Sequence, residues 1–520
     1  MQSTRRHLRP ALLGLAISLG AAVAAQAQPL LQSLVPQAGR QAPGCAIGVS
    51  NHGVEHFAAY GAADLEQASA ISTDTVFHAA SIAKQFTAYA VGLLAAEGKL
   101  RLDDDIRKYL PNMPRYGDPI RVRDLVHHTS GLRDQGALLH LSGWRAQDRV
   151  TRQDALSVIA RQKGLNFRPG AQDLYNNSGY TLLAEIVRKA SGQPLDAFAQ
   201  ARIFTPLGMT STRFYEDQDV VVPARAHAYR WTGAQWEGAQ PPLEVYGASN
   251  LLTTVKDLLV WQRFLLNPPA DRKATVDWMR TSGRLTDGTP IGYGGGLYIG
   301  EYGGRRTVGH DGLDGGFRAQ TLAFSGEDLA VAVLCNHADA RDLYLARGAA
   351  DLTVPSTAPN AAATAADVGR QDLAGAWRSP ETGMVMRLEW RGGRLDVPAE
   401  RWRFDPQGGD QPPRLHVLYD PLPARIYEKV TAAAPMDLKP YVGRYRSDEL
   451  ATTYEVAIQD GHLTIAWPRM APMPLEAVGG DYFVGQELGG LAFRRNGSGR
   501  IDGLELSQRR VWRLRAERLD

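Results

Sequence analysis

The sequence predicts an α+β protein: a large unit with an antiparallel sheet and a helical layer, followed by two small antiparallel β-barrel domains. Three observations carry this. Strand-like text opens the large unit at residues 45–60 and returns only near Gly294, with mostly helical text between. From Thr353 to Gly369 the chain turns Ala-, Thr- and Pro-rich and loses its periodicity. Beyond that point one constant offset relates 373–379 to 441–447 and 393–397 to 461–465, which marks an internal repeat of two copies.

Each element has a local cause. Residues 45–60 form two apolar runs about Asn51-His52-Gly53, the pattern of a hairpin. Residues 85–97 have helix length and few polar interruptions, so a buried helix is expected to follow Ser81. A second helix is expected over 180–190, after Asn177-Ser178-Gly179 and stopped by Gly192 and Pro194. Strands are expected at 294–299, 305–310, 319–324 and 329–334, with Gly294-Gly295-Gly296 read as a tight strand. A hairpin first and a strand cluster last imply a sheet closed by distant chain segments. A linker is expected over 353–371 and tail domains over 372–434 and 435–520, the boundary lying near Pro435. Trp377 and Tyr445, equivalent in the repeat, are expected in the two tail cores.

Bulk properties exclude several classes. With 44% hydrophobic and 22% charged residues, the chain of 520 can bury a large core. Residues 1–27 read as a secretory signal: Arg5, Arg6 and Arg9, an apolar run over 11–25, then Ala25-Gln26-Ala27 for cleavage. The run is short for a bilayer span, so a periplasmic or secreted protein without stable membrane insertion is expected. Removing three arginines from the formal +3 leaves 3 − 3 = 0, which gives no basic excess for nucleic acid. Cys45 and Cys335 lack metal-ligand neighbours, and two buried free thiols are expected. No metal and no cofactor is called for. His127 and His128 are expected in a turn and core role. No Gly-x-Ser-x-Gly elbow is present.

Ser81-Ile82-Ala83-Lys84 puts a hydroxyl and an amine three residues apart where the buried helix begins. Residues i and i+3 share a helix face, so the amine reaches back to the hydroxyl. A serine becomes a nucleophile when a neighbouring base takes its proton. A lysine is such a base only when burial or nearby positive charge lowers its pKa from about 10. Alone, the tetrapeptide reads equally well as a helix cap and a solvated lysine. Two later motifs give it weight: Tyr175-Asn176-Asn177 at a helix start, and His310-Asp311-Gly312 on a strand before the turn Leu313-Asp314-Gly315-Gly316.

The three motifs in this order, framed by 43–49, 100–104, 128–132 and 206–209, resemble the penicillin-recognising serine hydrolases: class C β-lactamases, D-aminopeptidases and related esterases. The resemblance spans about residues 35–350. It implies a β-lactamase/penicillin-binding-protein-like domain over 28–352, with Ser81 forming an acyl-enzyme. Lys84 and Tyr175 would share proton transfer, Tyr175 being the better candidate for activating the deacylating water with help from the Lys84 charge. Asn177 would hold the substrate amide and orient Lys84. The backbone N–H groups of Ser81 and Leu313, beside Gly312, would form the oxyanion hole. Related folds also set the first and last strands side by side, which would bring Cys45 and Cys335 together. Free thiols remain the expectation, because paired strand positions often fit bridge geometry poorly.

Two departures narrow the chemistry. Many relatives carry a lysine where this chain has His310, which is largely neutral at pH 7 if unperturbed and so favours substrates lacking a carboxylate there. Asp311 is expected to point away from His310 and Gly312 if the segment is a strand. The three-part layout resembles D-aminopeptidases, in which tail domains limit access. The function expected is therefore hydrolysis of amides in small D-residue-containing peptides. A carboxylesterase or weak β-lactamase on the same site, and a non-catalytic β-lactam or peptidoglycan sensor, stay open. The oligomeric state is not set by the sequence.

Overall fold

The computed structural model describes residues 31–35, 41–217, 219–354, 371–391, 394–395, 402–405, 414–419, 422–431 and 437–519. The expected signal segment and residues 355–370 of the expected linker lie outside them.

A six-stranded antiparallel sheet organises the large unit. Its strands are β1 (Cys45–Asn51), β2 (Val54–Tyr60), β3 (Tyr298–Tyr302), β4 (Arg305–Asp314), β5 (Phe317–Phe324) and β6 (Leu329–Cys335), in spatial order β3-β4-β5-β6-β1-β2. The hairpin and the late strands thus share one sheet, joined where β1 pairs with β6. Alternation assigns the faces. Ile47, Val49, Val331 and Val333 pack with Leu345, Ala346 and Ala349 of one helix (Asp342–Thr353), while Ala46, Ala332 and Leu334 turn to the other face. On that second face a side chain at Gly48 would meet Leu259 and Val255 of the helix Val255–Leu266, at 2.9 and 3.1 Å. Glycine is what lets this helix lie so close to the strand.

Two expectations change here. Cys45 and Cys335 are bonded, not free: they are direct cross-strand partners with Cα atoms 4.0 Å apart, so register alone brings the sulfurs together. Gly294-Gly295-Gly296 is a turn, not a strand: the Gly294 N–H donates to the Leu297 carbonyl at 2.8 Å, and β3 begins only at Tyr298. Gly296 has φ +73°, and a Cβ there would stand 2.5 Å from the Lys84 carbonyl oxygen. The run is glycine because it passes against the backbone of the helix carrying Lys84.

The two tail copies share an entry motif. In each, a single 3-10 turn (Gln371–Leu373, Lys439–Tyr441) precedes a strand (Gly375–Arg378, Gly443–Ser447). The buried Trp377 Nε1–H donates to the Leu373 carbonyl at 2.9 Å, and the buried Tyr445 hydroxyl donates to the Tyr441 carbonyl at 2.7 Å. Beyond that motif they diverge. The first copy is an antiparallel sheet of five strands, open among the described residues, where a barrel was expected; residues 396–401 and 406–413 between its strands lie outside the description. The second is a closed barrel of eight strands, ending in β7 (Ile501–Gln508) and β8 (Val511–Arg518). Its apolar interior continues into Leu138, Leu139 and Leu141 of a short helix (Gln135–Leu141) of the large unit. Tyr454 and Trp467 donate to the Leu141 and His140 carbonyls at 2.8 and 3.0 Å, closing that helix's C-terminal end.

Candidate active site

Ser81 sits in a 3-10 turn (Ala80–Ile82) that runs straight into helix α1 (Ala83–Ala96). Ala80 has φ 52°, a left-handed residue directly before the serine. Such strain is tolerated where the surroundings over-determine it, and here they do. His310-Asp311-Gly312 passes alongside, and a Cβ at Gly312 would stand 2.4 Å from the Ala79 carbonyl oxygen. The glycine of the third motif lets β4 touch the turn that presents Ser81.

Lys84 is fully buried, and its Nζ has three partners: Ser81 Oγ at 3.1 Å, Asn177 Oδ1 at 2.9 Å and the Ala248 carbonyl at 2.7 Å. Burial first, and then the positive charge of Arg510, push its pKa down to about 7. The solvated-lysine alternative is thereby excluded. Asn177 opens helix α2 (Asn177–Ser191), which Asn176 caps by accepting from Gly179 N–H at 2.9 Å. The Asn177 N–H donates to Asp134 Oδ2 at 2.8 Å, while Asp134 Oδ1 caps the helix Gln135–Leu141 through Gly136 and Ala137 N–H. One carboxylate therefore ties two helix starts together beneath the site.

Tyr175 packs against the lysine. Its ring centroid is 4.8 Å from Lys84 Nζ, but burial, and then the neighbouring Tyr298, push its phenol well above the usual value. The Ser81 hydroxyl, a hydrogen-bond partner, offsets part of this rise. The net direction favours the neutral phenol in the resting site.

His310 is buried on β4 with both ring nitrogens engaged. Nδ1 lies 2.6 Å from the Asp311 carbonyl, which can only accept, so Nδ1 carries the proton and Nε2 accepts from the Tyr293 hydroxyl at 2.9 Å. Burial pushes its pKa down to about 4, which keeps the ring neutral. His310 brings no cation to the site. The Asp311 carboxylate does not point clear of His310: its Oδ1 is 3.5 Å from Nδ1, because the partly exposed side chain folds back along the strand edge. Leu313 is 57% exposed, at the cavity beside Tyr175.

Several residues of the site had no signal of their own in the sequence. Tyr293 and Tyr298 pack on His310 with ring centroids 5.7 and 4.8 Å away. His128, in the left-handed region, packs its ring tilted against Tyr175 with centroids 4.5 Å apart, and its Nδ1 accepts from the Asn176 N–H at 3.2 Å. Its turn-and-core role thus becomes support for Tyr175. Arg510 arrives from the barrel, with Cζ 4.8 Å from the Tyr175 centroid. Asp134 follows the framing segment 128–132 and was legible only as its neighbour. A cavity of about 630 Å³ opens beside Tyr175, lined also by Asp173, Tyr298, Asp311, Leu313 and Asp342. Burial raises the carboxyl of Asp173 to about 7 and that of Asp342 to about 6. No group of three or more His, Cys, Asp or Glu suited to a metal ion occurs among the described residues.

Comparison with known proteins adds to this geometry. A profile of the Beta-lactamase family matches residues 27–354. A D-aminopeptidase of Brucella melitensis biotype 2 is 27% identical over 501 residues, covering 89% of this chain and 93% of its own. The octameric penicillin-binding protein homologue of Pyrococcus abyssi superposes with TM-score 0.55 at 19% identity, covering 97% of this chain and all of its own. A D-amino acid amidase of Ochrobactrum anthropi SV3, complexed with L-phenylalanine amide, gives TM-score 0.51 at 22% identity over 65% of this chain and 98% of its own. These two likenesses are of fold.

Proposed function

The chain belongs to the Beta-lactamase family and is a serine hydrolase, and from that premise we propose that it cleaves amide bonds of small D-amino-acid-containing peptides through an acyl-enzyme at Ser81. The observation that carries this reading is the Lys84 amine, 3.1 Å from Ser81 Oγ and brought down to about 7 by burial. It can accept the serine proton near neutral pH, as a general base must. Ser81 Oγ bonds to the substrate carbonyl carbon, and the oxyanion is met by the Ser81 and Leu313 N–H groups. Tyr175, kept as a phenol, hands its proton to the leaving nitrogen as the C–N bond breaks and is reprotonated from Lys84. Water then repeats the sequence on the acyl-enzyme, with Lys84 again taking the proton. The likeness to a D-aminopeptidase supports this substrate class. Export belongs to the same reading: residues 1–27 have a signal's composition, and the Cys45–Cys335 bond suits an oxidising compartment.

The test is a substrate panel of D- and L-alanine anilides, short-chain phenyl esters and a chromogenic cephalosporin, with mass detection of acylated Ser81. Faster turnover of the D-anilide is expected, with loss of turnover and labelling in Ser81→Ala. Turnover confined to esters would replace the peptidase with a carboxylesterase. Labelling without turnover would make the protein a sensor.

A further inference from the structure

Arg509 and Arg510 form the two-residue turn between β7 and β8. The turn is clamped to the large unit. The Arg510 carbonyl accepts from the Asp134 N–H at 3.3 Å and from Asn166 Nδ2 at 3.1 Å, and the Trp512 N–H donates to Asn166 Oδ1 at 2.8 Å. Buried Arg133 donates to the Trp512 carbonyl at 3.2 Å and pairs with buried Glu449 at 2.5 Å.

The Arg510 guanidinium, by contrast, is held loosely. It stands over Tyr175 and forms one ion pair, with buried Asp134 Oδ2 at 3.7 Å, which is too long for a hydrogen bond. That oxygen already accepts from the Asn177 N–H. Among the described residues no hydrogen bond takes up the guanidinium donors, and the side chain is 29% exposed. A rigid fork of N–H donors on a clamped turn, left open beside the catalytic tyrosine, is a carboxylate receptor. The third motif meanwhile supplies only the neutral, doubly engaged His310. The cation missing from the sheet strand is present on the barrel turn.

We propose that Arg510 is a specificity-determining residue that binds the C-terminal carboxylate of a dipeptide substrate, on the leaving side of the bond Ser81 attacks. This rests on the hydrolase reading, and it moves the carboxylate contact from the third motif, where none is expected, to the barrel turn. Tyr175 delivers its proton to the leaving nitrogen, so a group read beside Tyr175 belongs to the leaving residue. In a dipeptide the carboxylate carbon lies about 2.5 Å from that nitrogen, from N–Cα and Cα–C bond lengths and the angle between them. Arg510 Cζ lies 4.8 Å from the Tyr175 ring centroid, so a carboxylate one residue from the leaving nitrogen is the group assigned to it.

The experiment measures kcat/KM for a D-alanyl dipeptide with a free C-terminus and for the same dipeptide as its C-terminal amide, on the full-length enzyme. The wild type is expected to favour the free acid by at least about tenfold, the worth of a charge-assisted hydrogen bond. In Arg510→Gln that ratio falls toward one, in Arg510→Lys it falls part of the way, and in Arg509→Gln it stays. The ratio cancels any change in Lys84 basicity, since both substrates use the same base. A wild-type ratio near one overturns the proposal. So does an equal loss on both substrates in Arg510→Gln, which would reduce Arg510 to a clamp for the turn; Arg510→Lys, with melting temperatures, separates that from misfolding. If D-alanine anilide is turned over but neither dipeptide is, the proposal falls and the hydrolase reading stands. If no amide is turned over, both fall.

Discussion

Lys84 and Arg510 stand at the same distance, 4.8 Å, from the Tyr175 ring, yet they reach it by opposite routes. Lys84 is three residues from Ser81 and needs only the start of a helix. Arg510 needs a closed barrel, a two-residue turn and a docking surface that includes Asp134, Asn166 and the Arg133–Glu449 pair. Their chemistry differs as their burial does. The fully buried ammonium is destabilised and becomes a proton acceptor, whereas a guanidinium keeps its charge and, partly exposed, can only bind anions. Equal distance from one ring therefore does not mean equal role.

The comparison breaks most completely at Lys84. Lys84→Met should lower kcat for amide hydrolysis by about 10³- to 10⁴-fold, the scale of losing an activating base together with its buried network; steady-state rates and the extent of Ser81 acylation check this. The barrel side is expected to break in stability as well as rate. Arg133→Met leaves Glu449 buried without its partner and should cost about 3–5 kcal/mol. Most of that should return in Arg133→Met/Glu449→Leu, read by urea unfolding of both variants. The smallest effect sharpens the link between the two cations. A general base must be neutral, so with Lys84 in that role kcat/KM should rise with pH through about 7 and be lost below it. Arg510→Gln removes a positive charge that holds the lysine down, and the limb should move to higher pH. A limb that stays in place would separate the two halves of the site electrostatically.

Much of the site was legible because its spacing is local. Ser81 and Lys84 are paired by helix geometry, and Asn176 and Asn177 stand at a helix start that a cap residue announces. His310 and Gly312 could be named from their order, but not their physics. The neutral, proton-locked imidazole follows from Tyr293 and a carbonyl that folding brings in, and the need for glycine follows from the Ala79 backbone. The direction in which Tyr175 is pushed is not in its motif, because desolvation is a property of the assembled cavity. Gly294-Gly295-Gly296 was misread for the same reason: its partner is the backbone of α1, which no local pattern reveals. The second tail copy was recognisable as β structure from turn spacing, but its shared interior with the helix Gln135–Leu141 was not.

By itself, then, the sequence determined the α+β architecture, the pairing of Ser81 with Lys84, the helix start that carries Asn177, and the internal repeat of the tail. These depend on periodicity and on contacts within one turn of helix or one hairpin, which the order of residues encodes directly. The tertiary structure alone decided the Cys45–Cys335 bond, the direction in which burial pushes Lys84, Tyr175 and His310, and the arrival of Arg510 at Tyr175. Each of these depends on burial or on register between distant segments, quantities that exist only once the sheet has closed and the barrel has docked.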